Sequence, residues 1–223
     1  MPQIHPSGMS VLQTILWFIR RNERDVVNCY NFLTLFFLRA TGNNMLNFGY
    51  WTDYTKNPIE AQNELCILVG KFADLHLAKN LADIGSGFSE PAILWKSFHT
   101  SLNVTCVNIN FLQQKVASQL TRLRNNKIIN SKINQSLLSS SDIETISLVN
   151  ATAKVLPFRD KCMDRIITLE SAQHFKPLLQ FIQESRRILE HDALLVIALP
   201  VIKLSKSYSV LAAGIYETWN PFI

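Results

Sequence analysis

The chain reads as an α/β domain built on a doubly wound, mostly parallel sheet with helices on both faces, preceded by a helical cap. Three observations carry this. From Asn80 onward, short strand-like apolar runs alternate with helical periodicity; a glycine turn, Asp83-Ile84-Gly85-Ser86-Gly87, joins the first run to a helix; and two amphipathic stretches precede the alternation. With 223 residues, 48% of them hydrophobic, there is apolar material for one core of ordinary size. The expected division is residues 1–56 as helical cap and aromatic lid, and 57–223 as the α/β domain.

In chain order, Leu12, Ile15, Leu16 and Ile19 define a first helix over Met9 to Arg20, and Val26, Tyr30, Leu33 and Phe37 a second from Asp25 onward. Gly42 to Tyr54 has no period and holds the aromatic cluster Phe48, Tyr50 and Trp51. Asn57, Pro58 and Glu60 form a helix start, and Leu65, Val69, Phe72 and Leu75 its buried stripe. Strands are expected near Asn80 to Ile84, Val104 to Ile109, Thr145 to Val149, Arg165 to Leu169 and Leu194 to Leu199. Helices are expected over Pro91 to Phe98, Phe111 to Asn125 and Pro177 to Leu189. The Asn/Ser-rich stretch from Asn125 to Ser141 predicts a connection.

The formal net charge of +5 is not gathered into basic runs, which argues against nucleic acid as a partner. Cys29, Cys66, Cys106 and Cys162 are scattered without zinc-type spacing, so no metal is expected and reduced thiols in the cytoplasm are. Val11 to Ile19 and Phe32 to Leu38 are too short to span a bilayer, which takes about 20 residues. Peripheral membrane contact stays open, because Trp17, Phe18, Phe36 and Phe37 lie near Arg20, Arg21 and Arg24; packing of the same faces onto the sheet is the plainer reading.

Glycines at 85 and 87 let the backbone turn tightly and let a ligand approach without a Cβ in the way, although two glycines alone equally suit a structural turn. A dinucleotide fits poorly. Glu90 stands where a third glycine belongs in that fingerprint, and Asn108 stands at the second strand end where an acid would take the ribose hydroxyls. Asp83, directly before the turn, suits a ligand carrying an ammonium group.

At these residues the chain resembles class I S-adenosylmethionine-dependent methyltransferases, a Rossmann-like family whose first motif is similar to Asp83-Ile84-Gly85-Ser86-Gly87. Leu156-Pro157-Phe158, Asp160 and Asp164 look like the stretch before that family's fourth strand. Glu170-Ser171-Ala172-Gln173-His174-Phe175 resembles the segment directly after that strand, and Glu184 to Leu189 with Leu194 to Leu199 the next helix–strand unit. Asn47-Phe48-Gly49-Tyr50-Trp51, and Val107-Asn108-Ile109-Asn110 with Gln113, are similar to segments of sterol, tocopherol and phthiotriol-type lipid methyltransferases.

The resemblance implies S-adenosylmethionine as cofactor and a small, hydrophobic acceptor of lipid, quinone or phenolic type. Asp83, Gly85, Ser86 and Gly87 would hold its methionine end, Asn108 and Ile109 the ribose, and Asn150 and Ala151 the adenine, with Tyr50 and Trp51 either closing over it or anchoring the N-terminal helices to the sheet. His174 is the candidate base, since an unperturbed imidazole titrates near neutrality, and Glu170 would orient it or face a cationic acceptor. Ser89 stands at the family's third glycine, tolerable if its backbone is ordinary. The two asparagines, that missing glycine and the absence of a recognisable strand pair after the fifth strand motivate an alternative, an inactive methyltransferase-like binding or regulatory domain. Pro200 to Ile223 predicts one helix near Tyr208 to Tyr216, and an uncovered sheet edge would suit a second copy.

Overall fold

The computed structural model describes residues 22–41, 44–133 and 146–201. Helix α1 spans Glu23–Thr41, started by Asn22, whose side chain accepts from the Asp25 N–H at 2.9 Å. Helix α2 spans Pro58–Phe72 and has the expected cap: Asn57 accepts from the Glu60 N–H at 3.0 Å, and the Glu60 carboxylate reaches back to the Lys56 N–H at 2.9 Å. The alternation then runs as β1 (Asn80–Ile84), α3 (Glu90–Phe98), β2 (Asn103–Val107), α4 (Phe111–Ile133), β3 (Ser147–Val149), β4 (Met163–Leu169), α5 (Leu178–Ile188) and β5 (Leu189–Ala198).

All four strand pairings are parallel, in the order β3-β2-β1-β4-β5. The chain winds outward from β1 through β2 to β3 and then crosses to place β4 on β1's other side. The crevice at the carboxyl ends of β1 and β4 is therefore a topological switch point, where such sheets bind ligands. One face of the sheet buries Leu81, Val104, Cys106 and Ile167 with Val69, Leu75 and Trp95. The other buries Ala82, Ile84, Val107 and Ile166 with Phe181 and Ile188 of α5. Side chains alternate along β1, so it feeds both cores and is almost wholly buried, as a central parallel strand must be.

Several residues of the sequence motifs serve this framework. The Asp164 carboxylate accepts from the Lys79 N–H at 2.7 Å and so fixes the start of β1. Arg187 donates to the carbonyls of Leu156 and Phe158 and pairs with Glu184 and Asp160, while Glu184 accepts from the Leu156 N–H, clamping the loop before β4 onto α5.

Phe72, expected on the buried stripe of α2, is the helix's last residue and is 69% exposed, while Leu75 is buried from the short turn that follows. Three further boundaries differ from expectation. Helix α4 runs past Asn125 to Ile133: no Gly or Pro interrupts it, and Asn and Ser each cost well under about 1 kcal/mol in a helix. Strand β2 stops at Val107 because the Asn108 side chain accepts from the Asn110 N–H at 3.1 Å and turns the chain. Strand β5 begins at Leu189, which pairs directly with Met163; the register then shifts before Leu194 pairs with Arg165, around Asp192 at φ +60°. The expected helices at Met9 to Arg20 and Tyr208 to Tyr216 lie outside the described residues, as do Trp17, Phe18, Arg20 and Arg21. No helix among the described residues is long and apolar enough to cross a membrane.

Candidate active site

At the switch point lies a cavity of about 960 Å³, part of it continuous with solvent. Of the sequence-predicted residues, Gly85, Ser86, Gly87, Asn108, Ile109, Ala151, Glu170 and His174 all line it.

The glycine turn is held from both sides. The N–H groups of Gly85 and Ser86 donate to the Val107 carbonyl at 2.8 and 3.1 Å, and Ser171 Oγ donates to the Ile84 carbonyl at 2.7 Å. Gly85 has φ +81°, and a Cβ there would overlap Ser171. Position 85 thus requires glycine twice over. Ser89 departs from the expected ordinary backbone: it has φ +62° and is fully buried, a left-handed conformation that favours glycine.

Asp83 lies beneath the turn rather than on the cavity wall. It is 2% exposed, its Oδ2 has no hydrogen-bond partner, and burial pushes its carboxyl up to about 7. An orphaned buried carboxylate under a glycine turn fits a ligand that brings a cationic donor. Asn108 is buried and committed internally: its amide donates to the Gly87 carbonyl at 3.0 Å and to Gln113 Oε1 at 2.9 Å. Its Oδ1 accepts from Asn110 and retains one lone pair that a ribose hydroxyl could use. Asn150 does not line the cavity. Its amide donates to the carbonyls of Asn108 and Ile109, at 2.7 and 3.0 Å, and ties the two strand-end loops together.

Tyr50 and Trp51 also lie outside the cavity, 48% and 55% exposed, which corrects the expectation that they close over it. The cause is local. Gly49, at φ +82°, packs its backbone against Ala61, the Tyr50 N–H donates to the Ala61 carbonyl at 2.8 Å, and the segment runs along α2 with these rings turned outward.

After β4, Glu170 takes φ +50° and its carboxylate accepts from the Phe48 N–H at 2.8 Å. Burial raises its carboxyl above the ordinary value, opposed by that N–H. The partner found for His174 is Tyr30 of α1, with Tyr30 Oη 2.9 Å from His174 Nε2 and the rings edge to face at 5.4 Å. Burial, then Cys29 and Glu170, raise the Tyr30 phenol well above its usual value, so it stays neutral. Sequence reasoning missed Tyr30 and Glu23 as site residues. Both fall on one stripe of α1 with Val26 and Val27, and helical spacing alone could have grouped them without saying what they face.

Further polar contacts seat α1 on the body. Asn110 donates to Asn31 at 2.8 Å, Gln113 to Thr34 at 3.2 Å, and Glu23 engages Thr152 and, at 3.1 Å, Lys154. Among the described residues, the charged side chains lining the cavity are the carboxylates of Glu23 and Glu170, with no Lys or Arg.

Glycine turn, switch-point cavity and sheet order together define a Rossmann-like methyltransferase fold. Residues 82–197 match the Methyltransferase domain family over more than half of the chain, and the chain belongs to that family. It is similar to Methyltransferase GfsG of Streptomyces halstedii, 27% identical over 168 residues that make up 74% of this chain and 54% of the relative. It is also similar to the erythromycin 3''-O-methyltransferase of Saccharopolyspora erythraea, 22% identical over 68% of this chain and 44% of the relative. The chain spans about half the length of these curated relatives. Among solved structures, the [4+2]-cyclase SpnF shares the fold with TM-score 0.65 at 20% identity, covering 78% of this chain and 60% of that one. Coclaurine N-methyltransferase, solved with N-methylheliamine and S-adenosylhomocysteine, does so with TM-score 0.53 at 17% identity, covering 68% and 39%.

Proposed function

We propose that the protein transfers a methyl group from S-adenosylmethionine to a hydroxyl of a small, largely apolar acceptor of lipid, quinone or phenolic type. The observation that carries this reading is the meeting, in one cavity, of the glycine turn above Asp83 and the Tyr30–His174 pair after β4. The cofactor, when bound, supplies the electrophilic methyl. The residues present suit it: Asp83 and the turn Gly85 to Gly87 for the methionine end, Asn108 Oδ1 for the ribose, and Ile109 and Ala151 as an apolar surface for the adenine.

What the chain must do is align the partners, exclude water and take a proton. Val26, Leu46 and Phe175 provide apolar walls around the acceptor, and His174 accepts the hydroxyl proton. Tyr30 fixes the imidazole plane: where Nε2–H donates to Tyr30 Oη, the basic lone pair lies on Nδ1. The likeness of residues 47–51 and 107–113 to lipid methyltransferases supports an apolar acceptor. Four free cysteines, three of them buried, support a cytoplasmic location.

Calorimetric titration with S-adenosylmethionine and S-adenosylhomocysteine, with Asp83→Ala as control, tests the reading. Saturable binding lost in the variant is the expected outcome, and no binding to the wild-type chain sinks it. The internal commitment of the Asn108 amide favours a second reading, an inactive methyltransferase-like binding domain. That reading gains if the wild-type protein binds no cofactor yet forms a stable complex with another chain.

A further inference from the structure

Glu170 holds a conformation that a non-glycine residue keeps only where its surroundings enforce it, and three contacts do so, two of them from distant parts of the chain. Its N–H donates to the Ala198 carbonyl at 2.9 Å, its carbonyl accepts from Gln173 Nε2 at 2.7 Å, and Oε2 accepts from the Phe48 N–H at 2.8 Å. Half-buried on the cavity wall, the carboxylate carries no ion pair among the described residues. The other carboxylate there, Glu23, is offset by Lys154. The chain's net charge of +5 therefore does not extend to its cavity, whose one uncompensated charge among the described residues is negative. Glu170 and His174 both line the cavity from the segment that follows β4, so an acceptor bound there is exposed to the carboxylate as well as the imidazole.

We propose that Glu170 determines acceptor specificity. It accepts a hydrogen bond from a second donor group, a hydroxyl or an amine, beside the hydroxyl to be methylated, and it rejects acceptors carrying a carboxylate or phosphate there. This rests on the methyl-transfer reading above. An ionised carboxylate accepts but does not donate, so an acceptor without a second donor leaves Oε1 unpaired, and an anionic one is repelled. Glu170→Gln weakens the preference: its amide oxygen stays on the Phe48 N–H and its NH₂, a donor without charge, turns to the cavity.

The test measures S-adenosylmethionine binding by calorimetry and then S-adenosylhomocysteine formation with catechol, 2-aminophenol, guaiacol and salicylate as probes. For the wild type, kcat/KM for catechol and 2-aminophenol should exceed that for guaiacol and salicylate by about tenfold or more. Glu170→Gln should keep its cofactor affinity within about threefold and narrow that gap about tenfold, most of all for salicylate. Three results overturn the proposal: an unchanged ranking in the variant, loss of cofactor binding on Glu170→Gln, which would put Glu170 on the donor side, or a cofactor-binding wild type that turns over no probe or prefers guaiacol or salicylate. The wild-type ranking is read independently of the variant, so a poorly folded variant leaves the proposal exposed to refutation. A wild type that binds no cofactor defeats the methyl-transfer reading itself.

Discussion

The cavity has two halves built in different ways. The half around the glycine turn is made by residues close in sequence or joined through adjacent strands: the turn hangs on the Val107 carbonyl of the neighbouring strand, and Asn108 bonds to Gly87 and Gln113. The half around His174 is assembled by groups more than a hundred residues away, the Tyr30 side chain reaching His174 and the Phe48 backbone N–H reaching Glu170. A site made from backbone turns is written as a local motif. One made from distant side chains depends on how the cap helix docks.

The sharpest way to break the first half is Gly85→Ala. The added Cβ overlaps Ser171 at a positive φ, and destabilisation of about 3 kcal/mol or more is expected in denaturant unfolding, with cofactor binding lost.

Asp83→Asn probes the charge beneath the turn. The folded protein holds the Asp83 proton up to about pH 7, while an unperturbed carboxyl releases it near 3.8. Its stabilising contribution is therefore full below pH 3.8 and falls as pH rises to 7, by on the order of 4 kcal/mol, a slope that Asn removes. Cofactor affinity runs the other way: an ammonium favours the ionised carboxylate, so wild-type binding should tighten through about pH 7. The variant should bind about tenfold more weakly at pH 8, with no such pH dependence.

Tyr30→Phe sharpens the second half. Loss of the 2.9 Å bond should lower kcat about tenfold and alter the pH–rate profile, with cofactor affinity unchanged by calorimetry. A purely structural Tyr30 would instead change stability and leave the pH profile alone. The smallest expected effect is Ser89→Gly, which relieves a left-handed serine and should stabilise the fold by about 0.5–1 kcal/mol in thermal unfolding.

The contrast also explains what could be read in advance. Strand β1, the capped helix α2, the glycine turn and the order of units to β5 were legible, because apolar periodicity, capping chemistry and positive-φ requirements act over a few residues. The continuation of α4 past Asn125 was not, since composition is a weak prior against an uninterrupted helix. Tyr50 and Trp51 looked like a lid on residue type alone, yet the fit of Gly49 onto Ala61 turned them outward. Glu170 was expected to orient His174 or to face a cationic acceptor; its carboxylate accepts from the Phe48 N–H, and the imidazole meets Tyr30, a pairing with no signal in the sequence.

By itself, then, the sequence determined the parallel α/β class, the turn that needs glycine at 85 and the carboxylate beneath it, because each is a property of local backbone geometry and burial. Only the tertiary structure decided which stripe of α1 faces the cavity, that Tyr30 meets His174, and that Asn150 braces loops while Asn108 lies on the cavity wall. Those outcomes come from the packing of elements far apart in the chain, where hydrogen-bond partners are chosen by proximity in space and leave no spacing rule in the sequence.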